Sequence, residues 1–150
     1  MGKRILNKLV KAFSLCIIVS ITACSPPMTV NYLRDNPAGK FEFDVDKRYQ
    51  DVFTTILAQS RQCYFKGKLL SHQMAIRGNQ NKKDKTGNIT VSLLYGATSI
   101  ETHYTVDVIA LSENQSRVVT YYAKANTAPE AEIIKTWVTE NTNVCTPNLT

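Results

Sequence analysis

Between residues 40 and 124 apolar and polar side chains keep alternating with a period of two. Phe41, Phe43 and Val45 alternate with Lys40, Glu42 and Asp44. Ile89, Val91, Leu93 and Tyr95 are interleaved with Thr90, Ser92 and Leu94. Ile100, Thr102, Tyr104, Val106, Val108 and Ala110 resume the pattern after a turn at Gly96. Successive side chains of a strand point to opposite faces, so each run predicts a strand with one buried face. Leu69 to Arg77 and Arg117 to Lys124 predict two further strands, residues 78–87 a polar loop, and Ser112 to Gln115 a hairpin turn. Links this short pair neighbouring strands antiparallel.

Two stretches switch to helical spacing. Tyr49, Val52, Phe53, Ile56, Leu57, Ser60, Cys63 and Tyr64 predict a helix over 47–65, with Asp46 as its N-cap and Gly67 as its end. Thr127-Ala128-Pro129-Glu130 has the form of a capping box with proline in the first turn. Ile133, Ile134, Trp137 and Val138 supply the apolar stripe of a second helix over 128–142. The expected fold is α+β: an antiparallel sheet of about five strands in the order β-α-β-β-β-β-α, both helices on one face. That order resembles the helix-grip type of small domain found in several envelope lipoproteins, including those of the outer-membrane assembly machinery. The resemblance lies in element order alone, and fold does not settle function.

The N-terminus has a different character. Lys3, Arg4, Lys8 and Lys11 precede an apolar stretch from Ala12 to Ala23, which stops at Cys24, Ser25, Pro26 and Pro27. A bilayer-spanning helix needs roughly 20 apolar residues. This run is too short, and it fits the apolar core of a secretory signal peptide. It also explains the net charge of +6: without those four cations, 14 basic side chains face 12 acidic ones. A nearly neutral domain gives no support to nucleic-acid binding.

Ile21-Thr22-Ala23-Cys24 resembles the lipobox of bacterial lipoproteins. The resemblance implies cleavage between Ala23 and Cys24, a diacylglycerol on the Cys24 thiol and an acyl chain on its new amino group, with no other cofactor. Residues 24–39, with Pro26, Pro27, Pro37 and Gly39, then read as a lipidated cysteine and flexible tether to a domain over 40–150. Each buried methylene contributes about 0.8 kcal/mol, so two or three chains hold essentially permanently. Ser25, where an Asp would favour inner-membrane retention, implies the periplasmic face of the outer membrane.

Cys16 leaves with the signal peptide and Cys24 takes the lipid. Cys63 and Cys145 remain as an even pair in an exported protein, and a disulfide is the expectation. Two cysteines without a nearby histidine pair make a poor metal site.

Candidate chemistry is sparse. Glu101, His103, Thr105 and Asp107 are expected on one outer strand face, where His103 between carboxylates is a conceivable metal ligand or base but reads as a solvated surface. His72 reads as surface or edge packing. Lys82, Lys83 and Lys85 form a basic loop that suits anionic lipid or, more simply, a solvated tip. Tyr121 and Tyr122 are adjacent, so one must face outward and can contribute to a partner site. No nucleophile elbow, zincin or phosphate-loop motif occurs. The expected function is a non-enzymatic, lipid-anchored module that touches the membrane and binds another envelope protein. The alternative is a small apolar ligand held between helix 47–65 and the sheet, against Val52, Phe53 and Ile56.

Overall fold

The computed structural model describes residues 28–65, 72–95 and 99–145. Cys24, its cleavage site and Gly67 lie outside them. Five strands, β1 (Gly39–Val45), β2 (His72–Asn81), β3 (Thr86–Tyr95), β4 (Ser99–Ala110) and β5 (Ser116–Tyr122), form one antiparallel sheet in the order β1-β5-β4-β3-β2. Helices α1 (Val30–Asp35), α2 (Tyr49–Phe65) and α3 (Ala128–Thr139) complete the α+β fold.

The topology puts β1 at one sheet edge and β2 at the other, and the helix between them in the chain packs on the face of the sheet, chiefly on β3, β2 and β4. There α2 buries Tyr49, Val52, Phe53, Ile56, Ser60, Cys63 and Tyr64. The sheet meets it with Ile89, Val91, Tyr104, Val106, Val108 and Val118. Beside it α3 adds Ala131, Ile134, Trp137 and Val138. Gly78 sits under α2: a Cβ there would approach Leu57 Cδ2 and Phe53 Cζ to 2.9 Å.

Several local expectations change. Residues 78–81 and 86–87 belong to strands, so the long loop shrinks to a turn at 82–85. There the Asn81 Oδ1 accepts from the backbone of Lys83 and Asp84, and Lys85 adopts a left-handed φ of 51°. Asp46 does not cap α2; its carboxylate accepts from Gln115 Nε2 instead. The capping box at Thr127 does not form, because Thr127 Oγ1 donates to Lys124 O and Glu130 turns inward. Helix α3 ends at Thr139, short of residue 142.

The presumed tether is structured over much of its length. Thr29 caps α1 by accepting from Tyr32 N at 3.2 Å, and Leu33 is fully buried. The helix lies against β4 and β5 on the sheet face opposite α2 and α3. Arg34 fixes it there with two bonds to Asp107, Nε to Oδ2 at 2.9 Å and Nη2 to Oδ1 at 2.7 Å.

Candidate functional site: an outer-face groove and a buried polar chain

The residues expected on one face of β4 are divided by a bulge. Val91 pairs with Tyr104 but Ser92 pairs with Thr102, which leaves His103 as an extra residue. An extra residue inverts the facing of everything beyond it. Thr105 and Asp107 therefore stay on the outer face, where Thr105 Oγ1 donates to Ile89 O and Asp107 accepts from Arg34 and from Asn88 Nδ2. His103 goes to the helix side, where its Nε2 stands 3.2 Å from Glu130 Oε2. Glu101 pairs with Lys124 at 2.8 Å. The solvated histidine surface read from the sequence is thus replaced by a nearly buried imidazole within hydrogen-bond reach of Glu130.

Glu130 is the centre of a buried polar chain. Tyr64 Oη donates to Glu130 Oε2 at 2.7 Å, and Tyr104 Oη and Ser60 Oγ stand 3.5 Å apart. Burial pushes the Tyr64 hydroxyl well above the usual tyrosine value, with Tyr104 and Glu130 adding to it. Burial also raises Tyr104. A phenol that donates to a buried carboxyl oxygen satisfies that oxygen where water does not reach. The chain is interior and borders none of the grooves described below, so its evident work is to tie α2, α3 and β4 together. Among the described residues no three His, Cys, Asp or Glu side chains gather to hold a metal ion.

Cys63 and Cys145 are bonded, S–S 2.00 Å with Cα atoms 5.4 Å apart. The bridge joins the end of α2 to the chain beyond α3. Trp137 Nε1 donates to Val144 O at 2.6 Å and holds the same segment.

Val52, Phe53 and Ile56 pack in the core. On the other face lies an open groove of about 620 Å³ beside α1, within the about 300–1,000 Å³ typical of ligand sites. Its floor is made of small side chains, Ala75, Thr90, Ser92 and Thr102, which line up across β2, β3 and β4. Met28, Thr29 and Val30 form one wall. Leu94 and Ile100, a cross-strand pair, close one end, and Ile100 is 54% exposed. Arg77 stands at the other, opposite Thr90. The outward phase of Ile100 and Thr102 is a consequence of the bulge.

The other expected surfaces separate. Tyr104 is in the core and Tyr122 packs against it, while Tyr121 lies half-buried with Lys40 Nζ 5.9 Å from its ring centre. Lys82, Lys83 and Lys85 are exposed on the β2–β3 turn, at the far end of the strands from Met28. Lys82 and Lys85 border a recess of about 410 Å³ that also holds Arg48 and Glu113. The side chain of His72 lies outside the described residues. No helix among the described residues is long and apolar enough to cross a membrane. No family model and no curated protein matches this chain.

Proposed function

We propose that the protein is a lipoprotein of the bacterial envelope, anchored through acyl chains on Cys24 and acting as a non-enzymatic interaction module at the periplasmic face of the outer membrane. The observation that carries the reading is the lipobox Ile21-Thr22-Ala23-Cys24 at the end of a basic and then apolar leader. The Cys63–Cys145 bridge supports it, since such bonds persist in oxidising compartments. So does the docking of α1. With Met28 seated on the domain, the four Cα steps from Cys24 span at most about 14 Å, and the sheet's outer face stays close to the lipid. The module's partner is another envelope protein.

The test is palmitate labelling of the wild type and Cys24→Ala, followed by in-cell crosslinking, detergent extraction and mass spectrometry. The wild type is expected to carry label and one stoichiometric envelope partner. Cys24→Ala is expected to lose both while its domain stays folded. Label on Cys24→Ala would overturn the anchor, and a labelled wild type without a partner would overturn the module.

A further inference from the structure

We propose that the outer-face groove seats an anionic phospholipid of the membrane that holds Cys24, with one acyl chain along the Met28–Val30 wall and the phosphate at Arg77. The inference rests on the lipid-anchor reading and adds a ligand to it.

Three observations converge. The first is the groove's polarity. Leu94 and Ile100 make one end apolar, whereas Arg77 makes the other cationic. Among the described residues Arg77 forms no ion pair. The two ends are set by positions 94 and 90 of β3, about 13 Å apart along the strand. That is close to the depth of one leaflet's hydrocarbon, about half of 30 Å.

The second is direction. Met28, the first described residue, is in the groove wall, and α1 runs from there toward Arg34 and Asp107, away from Ile100. Cys24 precedes Met28 by four residues, so an anchor there keeps this wall within about 14 Å of the lipid. A lipid that enters with its phosphate leading toward Arg77 keeps its chains toward the leaflet and need not turn over.

The third is what the floor offers. Ser92 and Thr102 present hydroxyls that can donate to ester carbonyls. The central floor strand, β3, spends its backbone groups on the ladder, pairing with both β2 and β4. A peptide laid across this face would leave its own amides unpaired, a cost an acyl chain does not incur.

The experiment feeds cells a photoactivatable diazirine palmitate, irradiates them and maps adducts on the purified full-length protein. The expected result is an adduct of phospholipid mass on tryptic peptide 69–77 or 86–117. Ala75→Phe, which fills the floor, and Arg77→Glu, which reverses the charge on an exposed side chain, are each expected to lower its yield about tenfold. Acylated Cys24 with no groove adduct overturns the inference and leaves the anchor standing. So does a bridge from the groove to the acyl chains of Cys24 itself, or a yield indifferent to Arg77→Glu. Unacylated Cys24 overturns both. Should Ala75→Phe fail to fold, Arg77→Glu alone decides.

Discussion

Single residues of the interior show how far polar groups can be placed and still be satisfied. Thr120 fails that test: it faces the core between Phe41 and Val106, and its buried Oγ1 has no partner among the described residues. Thr120→Val keeps the shape and removes the orphan, so it is expected to raise the unfolding free energy by about 1 kcal/mol, read from a urea titration. A loss of stability would mean that the hydroxyl is served by water. Tyr64 and Tyr104 make a different prediction, about pH. Their folded values lie above the ordinary one near 10, because burial opposes the phenolate. The unfolded chain therefore releases these protons first, and their contribution is complete below about pH 10 and falls as pH rises beyond it. The melting temperature should drop steeply above that pH, and Tyr64→Phe with Tyr104→Phe should flatten the slope. An equally steep slope in the double variant would reject the phenols as its source. The setting of His103 was hidden from the sequence for a related reason. The alternation of Tyr104, Val106 and Val108 is unchanged by an extra residue upstream. Thr102, a polar side chain in the apolar phase, was the one visible sign of the bulge.

At the scale of elements, the strands and the two long helices were legible because each repeats its period several times. Five strands in the expected order along the chain, and the antiparallel pairing of β2 to β5, follow from the alternation and the short links. Boundaries moved where polar strand residues imitate a loop, as in Asn79–Asn81 on the edge strand β2. The six-residue α1 was illegible as a helix, since one buried residue, Leu33, cannot establish a period. Its stability comes from docking: Leu33 below and the Arg34 guanidinium clasping Asp107. The same clasp holds Arg34 above its usual value, first through the hydrogen bond to Asp107. Arg34→Ala is expected to abolish amide-exchange protection across Val30–Asp35 while leaving α2 and the sheet protected. Protection lost everywhere would show that α1 is integral to the core, and none lost would show that Leu33 alone suffices. The groove belongs to this scale too. It exists only because α1 walls a floor of small side chains, which is why no run of sequence announced it.

Across the whole molecule, one covalent bond and one helix pair close the helical layer over the sheet. Cys63 lies in the last turn of α2, which packs chiefly on β3, β2 and β4, whereas Cys145 follows α3, which packs on β1 and β5. The bridge thus spans the layer between the two elements that reach opposite sides of the sheet. Its separation is 82 residues, for which the loop-closure argument gives roughly 4.5 kcal/mol, an upper value because a reduced chain keeps some structure. Hydrophobic burial on both helices is independent of the bond, so reduction should weaken the fold without dissolving it. The reduced and alkylated protein is expected to keep its far-ultraviolet circular dichroism and to lose about 2–4 kcal/mol of unfolding free energy. Trp137 supplies a local readout, because its indole donates to Val144, next to Cys145. Freed from the bridge, that segment should loosen first, and the tryptophan emission should shift before the global transition in denaturant. Coincident transitions with an unchanged midpoint would mean that packing of α3 on α2 holds the layer by itself and that the bond serves only to keep the thiols from reacting.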